Sequence, residues 1–547
     1  MVTLACQRSA VVRRQFGRIG GSRAVMACAL GLGFALTGCM VGPKYKVPSA
    51  PIAERWRAAQ DARISGDPAD PKEWWKVFND PVLDSLIQTA HKQNLTLQIA
   101  ALRIVQARLR NSLVWLMELS PIPVGPSASY MHSKHSTTVK PDVSVTWPNP
   151  PPPLAGILKS QLPQISVSPE IDKYSGDISI LWKPDIWGGT RRRIQATAAM
   201  VAAEFASYDD ALVALVAEVA STYVRIRAYD EQLGVLRENI ALQEKLLKGA
   251  QDRFGKNQAS EADVHLATVL LRDTQAKVPL VEMALHEAEN ALCVLLGKAP
   301  GDIRTELGAA RPIPIAPAKV AVGVPADLLR RRPDVRRAER EAAAACAQIG
   351  IARAKLYPSL DLFAMFGVAS SFTGQLFDSA SHTSAYGGSV SWNPLLYPAT
   401  IEMIRDADAQ YQGKILAYQE SVLQAAREAE DAAARFTKAH DRLQALTDGV
   451  AASKRAAEVS TAKYQDGSVA FPMPLESLRY LESEQSQMIE ARGSVALNLI
   501  ALYKALGGGW EIRQGQDLLS DENRQQMRSR TDWKTFLGPR DLKTKEK

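Results

Sequence analysis

The stretch IEMIRDADAQYQGKILAYQESVLQAAREAEDAAARFTKAHDRLQALTDGV, residues 401–450, decides the fold. Its apolar positions are Ile404, Tyr411, Ile415, Tyr418, Val422, Ala425, Ala429, Ala432, Phe436, Ala439, Leu443, Leu446 and Val450. They advance by alternating steps of four and three, and only Asp408 interrupts the stripe. A 3.5-residue repeat held this long is the pattern of helices packed side by side as a coiled coil. Between 400 and 464 there is no proline, so the helix reads as one rod. At 1.5 Å per residue it would reach about 100 Å, far beyond an ordinary globular helix.

The same spacing occurs earlier. From Ile194 the stripe runs Ala198, Val201, Phe205, Tyr208, Leu212, Leu215, Val219, Tyr223 and Ile226. Other features also recur. Trp182 and Pro184 in SGDISILWKP return as Trp392 and Pro394 in YGGSVSWNP, offset by 210 residues. Leu296-Gly297 returns as Leu506-Gly507 at the same offset, and RFGKNQASEADVHLA around Gly255 is echoed by KYQDGSVAFPMPLES around Gly467, offset 212. This is too long for a solenoid unit. It reads as a module of strand, long helix, turn and long helix, present twice.

The turns between rods are placed at Gly255 and Gly467, where glycine suits the left-handed cap position. Their partner helices are expected over 259–296, with a kink at Pro279, and over 474–506. A helix is also expected from Asp84 to Leu119, ended by Pro121, Pro123 and Pro126. Strands are read from alternation. Ile178, Ile180 and Trp182 share a face in 177–182, Leu360, Leu362, Phe366 and Val368 in a third strand, and Tyr386, Val390 and Trp392 in a fourth. A first strand is placed near Ser127–Met131, and 121–175 reads as a long Pro-rich loop. Such segments resemble outer-membrane barrel strands, and a half-buried soluble sheet has the same alternation. Four strands cannot close a barrel, so either they do not span lipid or several chains share one barrel. Three chains would supply twelve strands.

A pI near 9.1 and a formal charge of +8 invite a nucleic-acid reading. Residues 1–38 carry Arg8, Arg13, Arg14, Arg18, Arg23 and no acid, and without them the charge falls to +3. The basic balance is therefore largely a targeting feature, with an apolar run from Ala24 to Leu36 too short to span a bilayer. It ends in Leu36-Thr37-Gly38-Cys39. This resembles a lipobox, which implies cleavage before Cys39 and a lipid on its thiol. An ordinary signal with an incidental cysteine is the alternative. Met40 follows, without the Asp associated with inner-membrane retention. Cys293 and Cys346 sit among apolar residues and read as small core side chains. No metal-ligand spacing, phosphate-binding loop or nucleophile motif occurs, and His132 and His135 lack a partner pattern. The chain is expected to hold no catalytic site and no metal, and to take no cofactor beyond the lipid.

Seven segments carry a family resemblance. They are CMVGPKYKVP (39–48), WWKVFNDPVLDSLI (74–87), LWKPDIWGGTRRR (181–193), RFGKNQASEADV (253–264), PADLLRRRPDVRRAERE (325–341), AQIGIARAKLYPSLDLF (347–363) and LYKALGGGW (502–510). The chain resembles the TolC-like outer membrane factors, in the NodT-type lipoprotein branch that serves resistance–nodulation–division efflux pumps. It departs from them at NPLLYPATIEM, with Pro398 at an expected turn, and in a longer 121–175 loop.

The resemblance implies an α+β membrane protein, a homotrimer with one 12-stranded β-barrel, four strands per chain, continued by an α-helical periplasmic tunnel. It implies an exit duct that conducts drugs or other small toxic compounds passively across the bacterial outer membrane. Its partners would be a periplasmic adaptor, a proton-driven inner-membrane transporter and outer-membrane lipid, with no nucleic acid. Rivals are a duct for type I protein secretion and a non-conducting envelope lipoprotein. Residues 1–38 are the leader, 39–72 a lipid-anchored tether, 73–310 and 311–510 the two copies, and 511–547 a polar tail expected to be irregular or loosely docked.

Arg253, Gly255, Tyr464 and Gly467 lie at the helical tips, where the family contacts its adaptor; they also read simply as turn formers. Glu458 and Asp466 are gate candidates, because acidic rings favour cations. The family's gate acids would fall at Ala457 and Thr461. Arg191, Arg192 and Arg193 are read either as contacts to lipid phosphate or as a solvated membrane-edge face. Arg330, Arg331 and Arg332 are read as structural ion pairs between the copies.

Overall fold

The structure, a computed structural model, describes residues 40–67, 72–119, 122–134, 137–139, 165–167, 170–327 and 331–533. Cys39 and the leader, His135, residues 140–164 and the end of the tail lie outside these residues. The chain divides into two compact units.

The first unit takes residues up to 43, 112–194 and 347–407. It holds an antiparallel meander of β1 (Ile122–Lys134), β2 (Glu170–Trp182), β3 (Ser359–Ser370) and β4 (His382–Ser391), paired in that order. β1 is longer than expected. It begins within the prolines expected only to end the preceding helix, and its register shifts between Val124 and Pro126. An edge strand accommodates this, because a proline there removes a donor that no neighbour needs. A separate pairing of Thr137–Val139 with Ile165–Val167 lies in the stretch expected to be loop.

The second unit takes 44–111, 195–346 and 408 onward. In chain order the helices of the molecule are α1 (Pro81–Gln93), α2 (Leu95–Val114), α3 (Gly189–Gly255), α4 (Glu261–Leu295), α5 (Pro333–Ala354), α6 (Tyr397–Gln465), α7 (Pro472–Ala505) and α8 (Asp521–Arg530). α3 has 67 residues and α6 has 69, about 100 Å each at the usual rise. Of the fourteen stripe positions from Ile404 to Val450, only Asp408 is exposed. The heptad reading thus predicts burial nearly position by position. α4 continues through Pro279.

The single helix expected over 84–119 is two helices. Asn94 leaves helical geometry with ψ 123°. Its side-chain oxygen accepts from the Leu97 amide at 3.0 Å, and its amide donates to the Leu295 carbonyl at 2.9 Å. One buried residue therefore ends α1, caps α2 and ties both to the end of α4. Gly297 makes this approach feasible, since a Cβ there would sit 2.4 Å from the Gln93 carbonyl oxygen.

The tether and the tail are both packed. Tyr45 donates to Glu339 at 2.7 Å, the Trp56 indole donates to the Gly323 carbonyl at 3.0 Å, and Ile64 pairs with Val320. In the tail, Leu518, Leu519 and Arg524 are buried and α8 is regular, contrary to the expected irregularity. Its lock is Asp209, wholly buried on α3, which binds the Arg513 guanidinium through both oxygens and lies 3.4 Å from Arg336. Arg513 also faces the rings of Phe205 and Trp510.

Truncating one partner of a buried pair costs about 3–5 kcal/mol. Asp209→Ala is therefore expected to lower the thermal midpoint in detergent and to expose 511–533 to protease. An unchanged midpoint with an intact tail would remove Asp209 as the lock.

Candidate functional site

Two features stand out as candidate sites, the helical tips and the sheet. At the first tip α3 ends at Gly255, but the left-handed residue is Asn257, with φ 57°. The Asn257 amide donates to the Phe254 carbonyl at 2.9 Å, and the Gln258 amide to the Arg253 carbonyl at 2.8 Å. At the second tip Gly467 has φ 76°, its amide donates to Tyr464 at 3.0 Å, and Ser468 donates to Lys463 at 2.8 Å. The hydrogen bonds correspond at an offset of 210, not 212. Gly255 is thus an ordinary last helical residue, and Asn257 fills the role expected of it. The 210 offset of the Trp-Pro pairs was the signal that pairs Asn257 with Gly467.

Arg253 joins the tips. Its Nη1 donates to the Tyr464 carbonyl at 2.8 Å and the Gln465 carbonyl at 3.1 Å, and its guanidinium lies 5.0 Å from the Tyr464 ring centre. These carbonyls are at the C-terminus of α6, where unpaired oxygens and the helix dipole favour a cation. Tyr464 is only 4% exposed and packs edge-on against Phe471 at 5.3 Å. Both belong to a separate apolar cluster with Leu246, Leu270, Leu475 and Leu478. Burial pushes the Tyr464 phenol pKa up, and its hydroxyl is buried without a hydrogen-bond partner among the described residues.

Glu458 and Asp466 are exposed near this tip. Glu458 pairs with Arg455 at 3.2 Å. Asp263 is engaged in the capping box of α4 with Ser260.

The sheet has two unlike faces. Across the strands, Ile178 pairs with Phe366, Ile180 with Ala364 and Trp182 with Leu362, while Ala364 pairs with Tyr386 and Leu360 with Val390. The three apolar stripes read from sequence therefore fall on one face. The other face mixes Ser127, Ser129, Ser175, Asp177, Ser179, Asp361, Thr383 and Ser389 with the apolar Met131, Leu181, Phe363 and Met365. Ser127 donates to Asp177 at 2.7 Å, and the Ser129 and Ser175 hydroxyls are 2.8 Å apart. At the far end of the apolar face Tyr130 and His132 both meet Asp172 at 2.9 Å. No strand residue whose exposure is described is buried. Such a sheet satisfies neither face nor edge by itself.

In the arginine clusters Arg191, Arg192 and Arg332 are structural, while Arg193 is exposed. Arg191 binds Asp185 at 3.1 Å and Arg192 is buried, so neither the phosphate reading nor the solvated-face reading describes them. Arg332 meets Asp334 at 2.7 Å and Glu428 at 2.8 Å, the ion pairs expected of it. Arg330 lies outside the described residues.

Arg253→Ala removes two charge-assisted bonds and should speed amide exchange over 462–468 about tenfold, with 503–508 unchanged. Tyr464→Phe should leave both segments as they are, because the lost hydroxyl bonds nothing there. Gly467→Ala should destabilise the tip by about 1–2 kcal/mol through its positive φ. Exchange rates followed by mass spectrometry separate the three.

Known proteins share this architecture. A family model described as outer membrane efflux protein matches residues 157–298 and 324–508. The chain is 26% identical over 483 residues to nodulation protein T of Rhizobium leguminosarum bv. trifolii, spanning 87% of this chain and 95% of that one. It is 28% identical over 486 residues to the pyoverdine export outer membrane protein OpmQ of Pseudomonas putida, spanning 88% and 97%. Among solved structures it is similar to the outer-membrane channel OprN, with a TM-score of 0.75 at 26% identity over 86% of this chain and 100% of that one.

Proposed function

Because the chain belongs to the outer membrane efflux protein family, we propose that it is the outer-membrane exit duct of a tripartite efflux pump. The observation that carries this is the two-faced sheet. Its apolar face suits lipid, and the other face, which carries nearly all the serines and carboxylates of the central strands beside a few apolar residues, suits an aqueous lumen. Its outer strands β1 and β4 leave backbone donors and acceptors that lipid cannot satisfy. Pairing β4 of one copy with β1 of the next, three times, closes twelve strands and removes every edge.

In this reading the chain is a homotrimer, and α3, α4, α6 and α7 from three copies wall a periplasmic tunnel. Cys39 bears lipid. The tips around Arg253, Gly255, Tyr464 and Gly467 meet a periplasmic adaptor, and a proton-driven inner-membrane transporter supplies the energy. The duct conducts passively; its own motion is the parting of the tips. Exposed carboxylates of Glu458 and Asp466, repeated three times, would give the mouth a preference for cations.

The mass of the detergent-extracted protein, with detergent subtracted, is expected to be that of three chains. A stable monomer would leave open edges in lipid and would overturn the barrel. Glu458→Gln with Asp466→Asn should reduce cation preference in single-channel recordings across a salt gradient. An unchanged reversal potential would remove both residues from the mouth.

A further inference from the structure

Three of the resemblance-bearing segments meet at one place in the first unit. These are MVG near the start of the tether, LWKPDIWGGTRRR from the end of β2 into α3, and AQIGIARAKLYPS from α5 into β3. Asp185 accepts from the Thr190 and Arg191 amides at 3.0 and 2.9 Å and so starts α3. The Trp187 indole donates to the Pro358 carbonyl at 2.8 Å and stacks on Tyr357 with ring centres 4.5 Å apart. Residues 40–42 lie against this frame. The Val41 amide donates to the Trp187 carbonyl at 3.1 Å. Arg192, 4% exposed, donates from Nε to the Val41 carbonyl at 3.0 Å and from Nη2 to the Gly42 carbonyl at 2.9 Å.

Glycines allow the approach from each side. Gly42 has φ 92°, and a Cβ on it would lie 2.5 Å from Gly350 Cα. A Cβ on Gly350 would lie 2.8 Å from the Arg192 side chain, and one on Gly188 would lie 2.7 Å from Met40. A conformation that needs three glycines and a fully engaged buried guanidinium is a built site rather than a chance crossing.

We propose that this junction is a seat for the processed N-terminus, with Arg192 as its positioning residue. It holds Met40, and through one peptide bond Cys39 and its lipid, at the end of the sheet where all four strands meet helices. The lipid part rests on the lipobox reading; the seat does not. Arg192 grips two successive backbone carbonyls, so it reads the path of the chain rather than its side chains. The level also fits a lipid surface. Trp115, Leu116 and Met117 precede β1 at this end, Trp392, Leu395 and Leu396 follow β4, and all six are exposed. Trp and aliphatic side chains gather at membrane boundaries. The seat thus places the acyl chains beside the strands that enter the membrane.

The test is limited trypsin cleavage after Lys44, which is exposed, on the full-length protein extracted in detergent. The released N-terminal peptide is weighed. In the natural protein cleavage should be slow, and Arg192→Ala should speed it about tenfold or more by unseating 41–42. Arg192→Lys should not restore protection, since one ammonium cannot span both carbonyls as the fork does. Arg193→Ala should change nothing. Gly42→Ala lies outside every helix and strand and leaves Arg192 intact, so it decides the matter if Arg192→Ala fails to accumulate. Equal rates in the natural protein, Gly42→Ala and Arg192→Ala would overturn the seat. A protected peptide without acyl mass would keep the seat and remove the lipobox reading. An acylated peptide released at the rate of a free peptide would do the reverse.

Discussion

The backbone groups along the free sides of β1 and β4 must find partners once the sheet enters lipid, and nothing else in the described chain offers them a ladder. That constraint shapes the rest. On the proposed reading it makes one chain insufficient and asks for copies related by rotation. A closed ring of strands in turn requires each copy to hold its sheet at one depth. The bias of apolar residues to one face and of serines and carboxylates to the other would be wasted in water, where neither face is covered. In a closed barrel both faces have a matching solvent.

Buried arginine contacts in the second unit have a different task. Asp209 with Arg513, Arg332 with Asp334 and Glu428, and the buried Arg227 against the Leu307 carbonyl at 2.6 Å all sit where segments distant in sequence must dock. Such pairs contribute little net stability over a well-packed apolar alternative, because desolvation offsets their attraction. What they add is geometry. A guanidinium buried against a carbonyl or carboxylate tolerates few arrangements, whereas a heptad seam of Ala, Leu and Val allows sliding by whole repeats. In long rods of similar residues, these fixed points define the register.

Legibility in the sequence followed the range of the interactions. Periodic burial is local, so the stripes of α3 and α6 and the apolar faces of β2, β3 and β4 could be read directly. Features that depend on a distant partner could not. Asn94 breaks a helix by bonding a carbonyl two hundred positions away in the chain. Arg192 looked like part of an exposed basic run because the segment it holds lies far upstream. The tail is polar in composition and is docked by one arginine whose carboxylate sits on α3. The prolines of β1 misled for another reason: whether a strand is at an edge is a property of the sheet. Asn257 was recoverable, since the 210 spacing was already visible at two other places. Cys39 remains as the sequence presented it.

The two tips share a backbone but not a tolerance for substitution. Position 257 already bears a side chain at φ 57°. Position 467 is held by its own φ of 76°, while the Arg253 guanidinium, 3.4 Å from where a Cβ would be, lies at ordinary contact distance. Over evolutionary time the first turn is thus free to sample side chains that the second must refuse, although their hydrogen bonds are the same. Variation among related chains should collect at the first tip, where it leaves undisturbed the bond by which Arg253 joins the two turns.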